Sequence, residues 1–191
     1  QLDASESIFV VFKGTIDQNV QGTAESNTPA YREIATLDRD WAVRFHGQNA
    51  PEIIVFDRLS DWSKHEDPNI QHYAGTAVYE KSFALRRLQA DKPILLELGQ
   101  VGVIATVVVN GKKAGTVWTT PWEIDITPFV NPGKNDLSIR VANTWNNRLV
   151  ADADRPKDER QSRVSQPYRF KANTPLHKGG LLGPVRIKQE R

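Results

Sequence analysis

The residues of this chain best suited to chemistry are adjacent carboxylates, scattered histidines, and aromatic rings set beside amides and arginines. Glu66–Asp67 and Asp158–Glu159 are acid pairs. Two carboxyl groups flanking a sugar–sugar bond suffice to hydrolyse it. Neighbouring side chains on an extended segment point to opposite faces, however, so neither pair is aimed at one substrate atom. Such pairs read first as solvated surface. His46, His65, His72 and His177 show no zinc-protease spacing, and there is no nucleophile elbow, dinucleotide-binding turn or phosphate-binding lysine loop. Gly179-Gly180-Leu181-Leu182-Gly183 lacks a following Lys-Ser or Lys-Thr and reads as a turn. No cofactor is expected. A structural calcium held by Asp57, Asp61, Glu66 and Asp67 is a minor alternative, because their spacing departs from an EF-hand. Catalytic residues are therefore not expected in this chain.

The aromatics carry more. Trp62, Trp118, Trp122, Trp145, Tyr73 and Tyr168 fall at strand ends and loops beside Asn, Asp and Arg. A flat ring covers the C–H face of a sugar, while amides and forked guanidiniums satisfy its hydroxyls. The competing reading is that each ring anchors the edge of a core. Trp41 and Trp122 alternate with apolar residues and read as core. Trp62, Trp118 and Trp145 read as exposed.

The elements that must position these side chains are strands. Trp41, Val43 and Phe45 share one face of 40–47; Ile94, Leu96 and Leu98 share one face of 93–98. Trp122, Ile124 and Ile126 do so in 122–126, and Leu137, Ile139 and Val141 in 135–142. Period-2 alternation marks half-buried strands. Asn110-Gly111 between β-branched runs predicts a two-residue type I′ hairpin, whose central positions both need positive φ. Pro132-Gly133 reads as a turn into a strand. No intervening helices of the length a doubly wound fold requires are present, so the pattern predicts an all-β antiparallel sandwich. Residues 143–167 crowd Asp152, Asp154, Asp158 and Glu159 with Arg155, Arg160 and Arg163, and read as a long solvated loop. Residues 6–13 are apolar on both faces; they read either as a strand closing a preceding domain or as an edge strand of this sandwich. Residues 14–28 read as a polar linker. The expected division is 1–28 for that strand and linker and 29–191 for the sandwich.

Composition limits the partners. The 191 residues carry 25 Lys plus Arg against 23 Asp plus Glu, a net charge of +2. A near-balance of this kind lacks the field of a nucleic-acid-binding module. No run approaches the ~18 apolar residues of a membrane helix. With no Cys there are no disulfides or thiol nucleophiles, and with no Met at all the simplest expectation is a processed or excised part of a longer chain. A leader at Gln1 is expected to be absent or already removed.

Several segments, in order, resemble the C-terminal sugar-binding-type β-sandwich of α-L-rhamnosidase-like glycoside hydrolases. They are Leu59-Ser-Asp-Trp62, Asp67-Pro68, His72-Tyr-Ala-Gly-Thr-Ala-Val-Tyr79, Leu96-Glu-Leu-Gly99 and Val107-Val-Val-Asn-Gly111, followed by Asn143-Thr-Trp-Asn-Asn-Arg-Leu149 and Gly180-Leu-Leu-Gly-Pro-Val185. Residues 6–12 are similar to the segment closing the domain before it. The resemblance implies a galactose-binding-domain-like jelly roll whose catalytic acids lie in a separate barrel domain. It also implies a parent enzyme that acts on plant or bacterial polysaccharide outside the cell or in the periplasm. Two features depart from the family: the loop after Arg148 is shorter and more charged, and Gly180 stands where Ser is usual. Together these observations lead to a non-catalytic carbohydrate-binding or accessory module, with Trp62, Tyr73, Trp118, Asn143, Trp145 and Arg148 as candidate sugar contacts. Its expected partners are a carbohydrate and the catalytic domain of the same parent chain. A purely structural interdomain module is the alternative, and a stand-alone glycosidase a weaker one.

Overall fold

Alternating burial builds two facing sheets. The strands are β1 (Tyr31–Leu37), β2 (Arg39–Phe45), β3 (Ile54–Arg58), β4 (Thr76–Leu85), β5 (Ile94–Glu97) and β6 (Gln100–Val101), then β7 (Ile104–Val109), β8 (Lys112–Val117), β9 (Glu123–Asp125), β10 (Gly133–Ala142), β11 (Leu181–Gly183) and β12 (Val185–Glu190). Two short helices, α1 (Pro68–Gln71) and α2 (Asn146–Asp152), join them. This computed structural model describes residues 7–9, 11, 13–15, 29–47, 53–86, 88–89, 91–164 and 170–191.

Strands β3-β2-β4-β10-β7-β8 form the larger sheet, β1-β12-β5-β9 the smaller, and β11-β6 a two-stranded annex. The strand pairings are antiparallel. The inner faces meet in one core. Trp41, Val43 and Phe45 of β2, Tyr79 of β4 and Leu137, Ile139 and Val141 of β10 face Ile94 and Leu96 of β5 and Val185 and Ile187 of β12. Each such side chain taken wholly from water stabilises by about 1.5–3 kcal/mol, which is why a one-residue register slip is excluded. The result is an antiparallel β-sandwich, as the alternation predicts.

The predicted hairpin joins β7 to β8, with Asn110 at φ 51 and Gly111 at φ 76. Asn110 also locks the end of the sandwich to which it belongs. Its Nδ2 donates to the Phe129 carbonyl and to Asn135 Oδ1, each at 2.8 Å, and its Oδ1 accepts from the Asp136 amide at 2.9 Å. Buried Asn135 returns Nδ2 donations to the Asn131 and Gly133 carbonyls. A hydrogen-bonded amide pair, with Asn135 buried, holds this turn without the penalty of an orphaned group.

Two expectations change. Residues 146–152 of the stretch read as a solvated loop are helical and half inside, with Asn147, Arg148, Val150 and Asp152 buried. Asn147 explains the ordering, because its amide bonds the His177 main chain twice, at 2.7 and 2.8 Å. The strand expected at 6–13 and the linker at 14–28 fall largely outside the described residues. Of those described there, Ile8, Phe9 and Val11 are exposed and belong to no sheet.

Candidate functional site

Register alone gathers the ends of three strands at one rim. Phe45 of β2 pairs with Ala77 of β4, and Ala142 of β10 pairs with Thr76. The exit of β2, the entrance of β4 and the exit of β10 therefore lie side by side, opposite the Asn110 hairpin. Tyr73 ties two of them together. Its hydroxyl donates to the His46 and Thr76 carbonyls and accepts from the His46 amide at 3.0 Å. Burial pushes the Tyr73 phenol up, so it stays a neutral donor. Asn143 ties in the third: it accepts from the Gly75 amide at 3.0 Å and donates to the Tyr73 carbonyl at 2.8 Å.

Above this rim, α2 and the segment after it build a wall. Asp152, 1% exposed, accepts from the Ser162 amide at 2.7 Å and from its hydroxyl at 2.6 Å. Burial alone would raise the Asp152 carboxyl. The Ser162 and Gln161 hydrogen bonds, with the charge of Arg148, outweigh it and hold the group below the usual carboxylate range. This clasp folds residues 160–163 back over α2. Between wall and rim opens a cleft of about 410 Å³ lined by His46, Gly47, Tyr73, Ala74, Trp145, Arg148, Arg160, Gln161 and Arg163. Its size lies within the ~300–1,000 Å³ of small-molecule sites.

Of the six candidate contacts, the cleft brings together Tyr73, Trp145 and Arg148. Trp145 stands 56% exposed at its mouth, while Arg148 is 8% exposed, with its guanidinium on the wall. Asn143 sits behind the rim as a clamp. Trp118 is 72% exposed just past β8 and does not line the cleft.

Trp62 corrects the expectation of exposure: it is 0% exposed. Its indole stacks on Tyr79 with an interplanar angle of 2° and meets Tyr73 edge-on at 5.5 Å. Trp62 Nε1 donates to the Tyr79 hydroxyl at 2.7 Å. Room for the ring comes from the Gly179–Gly180 turn: Gly180 holds φ +88, and a Cβ there would collide with the indole nitrogen. This fit accounts for the glycine at position 180. Trp62 thus supports Tyr73 from behind instead of meeting a ligand.

Two of the four acidic residues considered for calcium make main-chain hydrogen bonds. Asp61 accepts from the Ser63 and Gly179 amides at 3.0 and 3.1 Å, and Asp67 caps α1 through the Asn69 amide at 2.8 Å. Among the described residues no group of three or more His, Cys, Asp or Glu is placed to hold a metal. Asp158 and Glu159 lie exposed on a 3-10 turn, and among the described residues no carboxylate lines the cleft.

Sequence reading missed His46, Arg160 and Arg163 as cleft residues. His46 lies just beyond a strand end, and the two arginines sat in a stretch whose mixed charges resembled an ordinary solvated loop. Ser162 between Arg160 and Arg163, ten residues after Asp152, was the available signal.

Known proteins fit this geometry. Residues 38–177 match the family described as glycosyl hydrolase 2 galactose-binding domain-like. A protein of Formosa agariphila provisionally named a beta-glucuronidase is 37% identical over 212 aligned residues, which cover 97% of this chain and 18% of that protein. The structure of a rhamnosidase from Novosphingobium sp. PP1Y superimposes with a TM-score of 0.80 at 37% identity, over 87% of this chain and 16% of that one. A Ruminococcus gnavus beta-glucuronidase shares the fold at 18% identity with a TM-score of 0.61, over 89% of this chain and 30% of that one. The chain spans less than a fifth of the first two relatives. With its sandwich, its strand register and most of its length accounted for, the chain belongs to the glycosyl hydrolase 2 galactose-binding domain-like family.

Proposed function

We propose that this chain is a non-catalytic accessory module of a larger polysaccharide-degrading glycoside hydrolase, working outside the cell or in the periplasm, and that it binds a saccharide in the cleft at the β2–β4–β10 rim. The supporting observation is the pairing of a half-open indole, Trp145, with the forked cation of Arg148 across a concave space. The ring offers an apolar face to sugar C–H groups, and the guanidinium with the His46 and Gln161 edges offers polar partners. Two carboxyl groups about 5–10 Å apart would be needed for hydrolysis. The cleft offers none, so cleavage is assigned to a catalytic domain of the parent chain.

Titration of the 191-residue chain with plant and bacterial oligosaccharides, followed through the tryptophan NMR signals, tests the reading. Trp145 should shift, and Trp41 and Trp62 should not. If no saccharide moves Trp145 at millimolar concentration, the binding role falls.

A second reading, a brace between domains, is favoured by apolar side chains at the sheet edge. Ile53 beside β3 and Val55 on it are exposed, and β3 is an edge strand. Ile53→Ser with Val55→Ser should weaken capture of the parent's catalytic domain and leave saccharide binding intact if this face is a joint.

A further inference from the structure

The charge inside the cleft is one-sided. Arg148, Arg160 and Arg163 line it together with His46, and among the described residues no Asp or Glu does. Asp152, whose charge acts on Arg148, is turned inward to Ser162 and is withdrawn from solvent. None of the three arginines forms an ion pair among the described residues. Asp158 and Glu159 lie on the neighbouring turn but are exposed and outside the lining.

The arginines are also held in place. Arg160 Nε donates to the Arg155 carbonyl at 2.9 Å, which fixes the plane of its fork. Arg163 follows directly on Ser162, the residue Asp152 clasps. Arg148 is largely desolvated. Burial lowers its proton affinity first, and Arg155 adds to that, while Asp152 offsets only part. Arg148 is buried and Arg160 and Arg163 are open to the cleft, and all three are short of counter-charge, so an anionic group that reaches them is favoured; guanidinium forks bind planar or tetrahedral oxyanions in two-point fashion.

We propose that the cleft selects a saccharide unit bearing a negative charge, a uronate carboxylate or a sulfate ester, with the sugar ring on Trp145 and its anionic group toward Arg160 and Arg163. This rests on the cleft being the saccharide site. It adds the chemical class of ligand, which the galactose-binding-like fold does not specify.

Three probes of similar shape separate the outcomes: methyl glucuronide, methyl glucoside and methyl glucoside 6-sulfate, titrated into the chain at low salt with Trp145 signals as readout. At least one charged probe should bind about tenfold or more tightly than the neutral one. Added salt should shrink that advantage. In the double variant Arg160→Gln/Arg163→Gln, the advantage of charged over neutral probes should vanish, and an unaltered thermal transition shows that the fold is intact. Preference for the glucuronide assigns a carboxylate, and preference for the sulfate ester assigns a sulfate; either supports the proposal. Equal binding of charged and neutral probes overturns the charge selection and leaves the saccharide reading standing. No binding by any probe removes both. A preference that survives in the double variant overturns the placement at Arg160 and Arg163.

Discussion

Replacing Tyr79 with Phe isolates one buried oxygen and puts the core of the sandwich to a quantitative test. The Tyr79 hydroxyl, with its ring 1% exposed, accepts from Trp62 Nε1 at 2.7 Å and from the Leu181 amide at 3.1 Å. Burial pushes the phenol far up, so it is neutral throughout the useful pH range. Tyr79→Phe preserves the ring packing and orphans two donors in a dry place. Each orphan costs about 1–3 kcal/mol, and the removed hydroxyl no longer has to be desolvated, so the net loss should be about 2–4 kcal/mol. For a chain of this length that corresponds to a fall in Tm of roughly 5–15 °C. Urea unfolding followed by tryptophan fluorescence measures it, and Trp62→Phe completes a double-mutant cycle. With the indole N–H gone, Tyr79→Phe should cost only the Leu181 share, giving a coupling of about 1–2 kcal/mol. A loss below about 1 kcal/mol, or a coupling near zero, would refute the claim that this oxygen holds the glycine turn against the indole.

Other consequences are equally direct. Trp145→Ala should lower saccharide affinity about tenfold with stability within about 0.5 kcal/mol of the parent, while Trp118→Ala, more exposed and away from the cleft, should leave affinity unchanged in the same titration. Gly99→Ala should cost at least about 3 kcal/mol in urea unfolding, because its Cβ would meet the Gly183 carbonyl at φ +67. By contrast, Gly111→Ala, at φ +76 with open space around it, should cost only about 1–2 kcal/mol. The folded-state pKa of Asp152 is depressed, so its contribution is complete above the unfolded carboxylate value of about 3.9 and is lost as pH falls through the lower folded value. Asp152→Asn should lower Tm at neutral pH and flatten the acid limb below about pH 4; an unchanged acid limb would mean that the Ser162 clasp does not depend on the charge.

What could be read from the chain, and what could not, divides along sequence distance. Trp41, Val43 and Phe45, or Leu137, Ile139 and Val141, announce their face because each strand's alternation is a local record of which side is wet. Asn110-Gly111 announces its turn because positive φ is a local demand. Trp62 gives no such record. It follows a capping Asp in a short 3-10 turn, and its burial is decided by Tyr79, Gly180 and the Gly179 main chain, the last more than a hundred positions later in sequence. Helix α2 was hidden for a similar reason: Leu149 and Val150 alone make a faint stripe, and the helix is ordered by the Asn147–His177 and Asp152–Ser162 contacts. The cleft was half legible. Its aromatic and first arginine came from the residue types, and its remaining cations came from a fold-back that no local pattern encodes.

The four pieces that frame the cleft, His46–Gly47, Tyr73–Ala74, Trp145–Arg148 and Arg160–Arg163, all lie beyond the last paired residue of the strand they follow or precede. Changing the exposed side chains among them, such as Trp145 and Arg163, leaves every rung of the sheets untouched. The scaffold therefore works like a chassis with interchangeable fittings: ligand choice can drift from one homologue to the next, or be randomised in a display library, while the folding instructions stay the same.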